Sequence, residues 1–170
     1  MTARNTRIDT TLGELLLVAD DGALTGLYFP QHWYPPKAEA IGGAVDAAGD
    51  PLFARVAAEV AEYLDGRRTT FGVPLAPAGG EFQQRVWALL TEIPYGGTVT
   101  YGALAERLGN KALAQRVGQA VGHNPVSVLI PCHRVVGSDG DLTGYAGGLP
   151  RKRFLLDLEE PPQAREARLF

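Results

Sequence analysis

The chain has one cysteine among 170 residues, so no internal disulfide can form. One thiol and three histidines also cannot close a zinc cage of the Cys-rich kind. Long apolar runs are missing as well. The longest unbroken ones, such as Leu15 to Ala19 between Glu14 and Asp20, are far too short to span a bilayer. No apolar signal-peptide segment precedes Leu15. Glycine (21) and proline (12) are plentiful without reaching low-complexity levels. Apolar residues at 45% and charged residues at 21% exclude a disordered or fibrous chain. We expect a soluble, cytoplasmic, globular protein of one ordinary domain or two small ones, rich in tight turns.

A net charge of −3 argues weakly against nucleic acid, but the charge is unevenly spread. Residues 1–81 carry six Lys/Arg against eleven Asp/Glu, residues 82–153 eight against four, and residues 154–170 two against four. A basic block can face phosphates while the rest of the molecule stays acidic and soluble. Blocks of this size also arise by chance, and this one decides nothing by itself.

Leu15–Val18 and Leu24–Phe29 read as strands joined across Asp20-Asp21-Gly22, a strong hairpin signal. Residues 30–49 have no sustained period and read as loop. Asp50-Pro51 reads as an N-cap with proline in the first turn, opening a helix whose apolar face is Leu52, Phe53, Val56, Val60, Tyr63 and Leu64, stopped by Gly66. Phe71, Val73 and Leu75 alternate as a short strand, and Pro74 to Gly80 reads as a linker. The second half differs. Phe82, Val86, Leu89, Leu90 and Ile93 share a helical face that ends at Pro94-Tyr95-Gly96-Gly97. Thr100 caps a short helix through Leu108, Gly109 turns the chain, and a second helix runs from about Lys111 to Gly122, before Asn124-Pro125. Helix, glycine turn and helix in that space form a helix-turn-helix pattern, weak alone because most such hairpins simply pack. The second helix has a small face that includes Gly118, at a cost of about 1 kcal/mol relative to alanine. Close approach by another helix is the bland reason; close approach by a DNA groove is the sharp one.

Val126–Ile130 reads as a short buried strand that delivers Pro131-Cys132-His133-Arg134-Val135. A lone cysteine is usually an inert small hydrophobe. Here it stands at a strand end, its two cationic neighbours raise the local potential that favours thiolate, and a Gly-rich segment from Gly137 to Gly148 follows as a pocket wall. His133 is the candidate base. Neighbours in an extended segment point to opposite sides, so a bridging water is more plausible than direct contact. A carboxylate on its other nitrogen would help, and the helix after Pro150, packed through Phe154, Leu155 and Leu158, ends in Glu159. Glu159 read alone is better explained as an exposed helix-end carboxylate. His32, His123 and the Trp33-Tyr34 pair read as ordinary loop packing, and Arg151-Lys152-Arg153 as a solvated helix start, with contact to phosphate from beside the Gly-Gly loop left open.

Pro131-Cys132-His133-Arg134-Val135, preceded by Asn124, resembles the active-site signature of the O6-alkylguanine-DNA alkyltransferases. Phe82-Gln83-Gln84-Arg85-Val86-Trp87, Ile93-Pro94-Tyr95-Gly96 and Gly144-Tyr145-Ala146-Gly147-Gly148-Leu149 carry the same resemblance, which is dense from about Phe82 to Glu159 and looser over residues 1–75. It implies an α+β fold: a small N-terminal antiparallel-sheet and helix domain, ribonuclease-H-like, over residues 1–78, then a mostly helical, winged-helix-like C-terminal domain with the helix-turn-helix over 79–160, and a tail over 161–170. It implies direct DNA repair, in which an alkylated guanine is flipped from duplex DNA and its O6-alkyl group passes irreversibly to Cys132, each molecule acting once. O4 of thymine stays open as a second target. No cofactor or metal is implied, and the zinc of some relatives is not carried over. The implied partner is double-stranded DNA containing O6-alkylguanine, with no membrane; the protein is expected to be a monomer, with cooperative binding along DNA left open.

By the same resemblance, His133 is a water-linked base, Glu159 orients it, Asn124 braces the turn before the cysteine, and Tyr101 contacts the base N3 and the backbone. Tyr145, Ala146, Gly147, Val135 and Val121 would form the substrate pocket, and Gln115, Arg116, Gly118, Thr100 and Arg134 would meet DNA through the minor groove. Two positions depart from the family pattern. Gln115 stands where an arginine often fills the vacated stack, with Arg116 one residue later, and Ala146 stands where serine is common. Rival readings are a non-catalytic lesion binder, a thiol hydrolase and a redox-sensing repressor.

Overall fold

A computed structural model describes residues 3–161; the rest of the expected tail lies outside the described residues. The chain opens with three antiparallel strands, β1 (Ala3–Thr10), β2 (Gly13–Asp20) and β3 (Ala23–Tyr28). Asp21 takes a left-handed φ of 52° in the Asp-Gly turn, as that hairpin signal requires. A two-residue strand, β4 (Gly43–Ala44), adds in parallel to β1 and gives the order β3-β2-β1-β4. β1 is the strand the hydrophobic pattern misses. It buries Asn5 and Thr6 instead of aliphatic residues, and the Asn5 amide donates to the Ile41 and Gly42 carbonyls.

Helix α1 (Pro51–Leu64) packs Phe53, Val56, Val60 and Tyr63 into the core. Its N-cap is the expected one: Asp50 accepts from the amides of Leu52 and Phe53 and also pairs with Arg4 of β1, tying helix to sheet. Residues 71–75 are not a strand, contrary to the alternating pattern. Pro74 lacks an amide, and the segment makes only an isolated bridge from Leu75 to Leu24 while Glu59 accepts from the Gly72 amide.

The C-terminal domain is mostly helical, with α2 (Glu81–Thr91), α3 (Tyr101–Arg107), α4 (Ala114–Gly122) and α5 (Leu149–Glu159). Thr100 caps α3 by accepting from the Ala103 amide, Gly109 turns the chain with φ 104°, and Asn110 accepts from the Ala112 amide ahead of α4. These residues set the helix-turn-helix. Trp87 of α2 donates its indole N–H to the Ala120 carbonyl at 2.8 Å and locks α4 to the body. Strands β5 (Val99–Thr100) and β6 (Val135–Val136) pair in parallel beneath α3.

The apolar run 126–130 is not a strand either. The Asn124 side chain accepts from the Val126 amide at 3.0 Å and donates to the Ile130 carbonyl at 2.8 Å, closing a compact loop in which Val128 has φ 74°. A β-branched residue there is costly, so the clamp must hold the loop against its own preference. The two domains share one core, and the Leu27 amide donates across to the Pro125 carbonyl at 2.8 Å. Among the described residues no helix is long and apolar enough to cross a membrane.

Candidate active site around Cys132

Cys132 opens a 3₁₀ turn (Cys132–Arg134), not a strand end, and its amide donates to the Ile130 carbonyl at 2.8 Å. Its side chain is buried at one wall of a cleft of about 290 Å³. Gly118, Val121 and Gly122 of α4 line the same cleft, with Tyr101 from α3 and Gly144, Tyr145 and Ala146 from the following loop. The bland explanation of Gly118 fails: a Cβ there would meet nothing nearer than Tyr101 at 3.8 Å, so no helix crowds it. The glycine widens the cleft.

Behind the cysteine lies a buried polar network. His133 Nε2 donates to Glu159 Oε2 at 2.8 Å, which fixes the tautomer that leaves Nδ1 as an acceptor, and Nδ1 is buried with no hydrogen-bond partner among the described residues. Burial lowers the His133 pKa, with the Glu159 hydrogen bond opposing it, so the imidazole is neutral near pH 7. Glu159 is not an exposed helix end. It also accepts from Arg134 Nε at 2.7 Å, Arg134 Nη2 at 2.9 Å and the Tyr63 hydroxyl at 2.5 Å. Burial alone would raise its pKa, but these donors hold it down to about 2.

This network corrects two expectations. Arg134 does not reach DNA: it is buried, two of its nitrogens are on Glu159, and Nη1 donates to the Ile93 carbonyl at 2.6 Å. Nor do His133 and Arg134 supply a thiolate-favouring field, since one is neutral and the other is neutralised by Glu159. Burial pushes the Cys132 thiol up, opposed first by the Asn124 side chain and then by the charge of Lys152. The resting sulfur is therefore protonated, and its proton must leave when the group acts.

Lys152 is a residue the sequence reading left on the surface. It is 1% exposed, and its ammonium donates to the Val135 carbonyl at 2.7 Å and the Thr143 carbonyl at 3.2 Å. Burial lowers its pKa to about 8, so it remains mostly charged at neutral pH. Arg151 is also tied down, by the Leu12 and Gly147 carbonyls. Phe154, expected in the packed face of α5, is 40% exposed. Trp33 was likewise missed. Its amide donates to the Ala146 carbonyl at 3.1 Å and its indole lies against Gly144 at the cleft mouth, while Tyr34 stacks on His123 at 3.7 Å just beyond α4.

The other expected site residues divide as follows. Asn124 is buried in the loop before Cys132, and the Tyr101 hydroxyl hydrogen-bonds Thr143 at 2.8 Å. Tyr145, Ala146 and Val121 line the cleft. Gly147 and Val135 do not. The Gly147 α-carbon sits against Phe29, and the Val135 carbonyl already receives Lys152. Gln115 is exposed three residues before Gly118, on the cleft-facing side of α4. Arg116 is turned away by about 100°, and its guanidinium lies over the Phe82 ring at 4.1 Å.

A mostly antiparallel sheet and helix, docked on a helix-turn-helix whose second helix lines one cleft with the lone cysteine, define a two-domain protein with one buried thiol at its cleft. The DNA-binding domain model of 6-O-methylguanine DNA methyltransferase matches residues 81–161, and its ribonuclease-like domain model matches residues 4–77. The methylated-DNA–protein-cysteine methyltransferase of Mycobacterium tuberculosis is 42% identical over 171 residues, covering 96% of each chain. That of Haemophilus influenzae is 41% identical over 157 residues, covering 89% of this chain and 83% of its own. The crystal structure of the Mycobacterium tuberculosis OGT in complex with DNA superposes with a TM-score of 0.82 at 40% identity, covering 94% of this chain and 93% of that one. The chain belongs to the methylated-DNA–protein-cysteine methyltransferase family.

Proposed function

We propose that this protein repairs DNA directly, moving an alkyl group, methyl foremost, from O6 of guanine in a duplex onto Cys132, irreversibly and once per molecule. The observation that carries this reading is the chain's one cysteine, set in a cleft that α4 of the helix-turn-helix also lines and backed by His133 and Glu159.

The chemistry follows from the geometry. The Cys132 proton passes through a water to His133 Nδ1, the ring nitrogen that has no partner among the described residues. Glu159 and Arg134 hold the imidazole while it carries the charge. The thiolate then attacks the alkyl carbon in line with the carbon–oxygen bond. A sulfur–carbon bond forms, the carbon–oxygen bond breaks, and the electron pair departs with guanine O6. Tyr101, which lines the cleft, releases Thr143 and donates to guanine N3, dispersing the charge on the leaving base. Tyr145 and Val121 wall the flipped base, and backbone amides near Tyr145 and Ala146 receive O6. Asn124 keeps the cysteine loop in register and helps offset the burial of its sulfur.

The base reaches the cleft by flipping from the stack through the minor groove, where α4 lies close because Gly118 has no side chain. Gln115 fills the vacated space, Arg116 leaves Phe82 for a phosphate, and the Thr100 hydroxyl, which accepts from Ala103, keeps its own proton for another phosphate. Domain limits at 78/79 and 160/161, a monomer in solution and a cytoplasmic location belong to the same reading.

The test is a duplex labelled in its O6-methyl group. Label moves to the protein up to one equivalent and stays there, and Cys132→Ala takes none. Label released over many turnovers would favour a hydrolase, and unchanged transfer by Cys132→Ser would overturn the choice of acceptor.

A further inference from the structure

We propose that Tyr63, contributed by the N-terminal domain, is a positioning residue for the transfer reaction, its phenol setting how strongly Glu159 holds the proton on His133. This rests on the reading of Cys132 and His133 above. Tyr63 sits on the α1 face that it shares with Phe53, Val56 and Val60, and like them it is fully buried. A phenylalanine would fill that space equally well. What needs explaining is the hydroxyl, which is costly in an apolar core unless it is paired.

Its partner lies 96 residues away, at Glu159 Oε2, 2.5 Å from the phenol oxygen. That oxygen also accepts from His133 Nε2 and from Arg134 Nη2, while Oε1 takes Arg134 Nε. Each added donor withdraws charge from the carboxylate and leaves it a weaker acceptor for the imidazole N–H. Tyr63 therefore lowers the grip of Glu159 on a protonated His133 and keeps the ring neutral, ready to take the thiol proton. Burial and the neighbouring carboxylate push the Tyr63 pKa up, so it donates throughout the working range. The other ionisable groups that act on this cluster are Tyr95, whose ring centre lies 6.3 Å from that of Tyr63, Arg134, whose guanidinium lies 5.8 Å from the Tyr95 ring centre, Lys152, Cys132 and Tyr145. Tyr63→Phe leaves all of them in place.

The experiment measures single-turnover methyl transfer from a methylated duplex between pH 5 and 9, for the full-length protein, Tyr63→Phe, and a protein carrying 3,5-difluorotyrosine at position 63. Cys132→Ala is the blank. Without the hydroxyl, Glu159 stabilises imidazolium more, and the acid limb moves up by about half a pH unit, a threefold loss on that limb with the plateau kept within about twofold. Difluorotyrosine, the stronger donor, moves the limb down. A structural role alone would scale the curve at every pH or leave it unchanged, and either result in both substituted proteins overturns the proposal. Should Tyr63→Phe fail to fold, the fluorinated protein decides by the direction of its shift. A full-length protein inert at every pH would instead overturn the alkyl-transfer reading, and this inference with it.

Discussion

Glu159→Gln keeps the shape of the side chain and removes the charge that holds the network together. Arg134 is buried and has two nitrogens on that carboxylate. Leaving such a guanidinium without a counter-charge costs about 3–5 kcal/mol. A second route gives a similar size: donors hold the Glu159 pKa at about 2 against an ordinary 4.5, worth roughly 3 kcal/mol for the charged form. For a depressed carboxyl, this contribution is complete above about pH 4.5 and is lost as pH falls through 2. The variant has no carboxyl to protonate, so the gap between the two proteins is widest near pH 7 and narrows toward pH 2. Urea denaturation at pH 7 and pH 3 reads the gap, and thermal unfolding at pH 7 shows a drop in Tm of about 10 °C. Methyl transfer falls by about 100-fold or more as His133 loses its orientation. A loss below about 1 kcal/mol at pH 7, or a gap that does not change with pH, would refute the buried-pair reasoning.

Two glycines give a paired test. A methyl at Gly147 would lie 2.3 Å from Phe29, which is buried and cannot yield, so Gly147→Ala costs about 1–3 kcal/mol by denaturant titration. Gly144→Ala meets Trp33 at 2.4 Å, but that indole is 54% exposed and swings aside; stability changes by less than about 1 kcal/mol while tryptophan emission shifts. Equal losses would contradict the packing contrast. On α4, Arg116→Ala is expected to weaken binding to any duplex and reduce the salt slope by about 1. Gln115→Ala is expected to slow transfer with the slope unchanged, and an interchange of these outcomes would reverse their roles.

What could be read from the sequence was local. Asp50-Pro51, Thr100, Gly109 and Asp21-Gly22 carry their own start, stop and turn chemistry, so α1, α3, the helix-turn-helix and the first hairpin follow from a few neighbouring residues. β1 escaped because its buried positions are Asn5 and Thr6, and the Asn5 amide is satisfied by loop carbonyls that no periodicity reveals. The loop at 126–130 has the composition of a strand; the Asn124 side chain, hydrogen-bonded at both ends of the segment, bends it. In the site, Cys132 and His133 stand out by residue type, whereas the role of Glu159 came mainly from resemblance. Arg134 and Lys152 were placed outside because isolated charges avoid burial; their compensating partners, Glu159 and two backbone carbonyls, lie 25, 17 and 9 residues away. Trp33 and Tyr63 come from the other domain, and no local pattern connects them to the cysteine.

The most direct measurement is the mass of the intact protein, and of its Cys132 peptide, after incubation with excess O6-methylguanine duplex. The account predicts a gain of about 14 Da per molecule, confined to that peptide, with restored guanine in equal amount and no further reaction. An unmodified cysteine beside continuing loss of methyl from the DNA, or the added mass on any other residue, would contradict it.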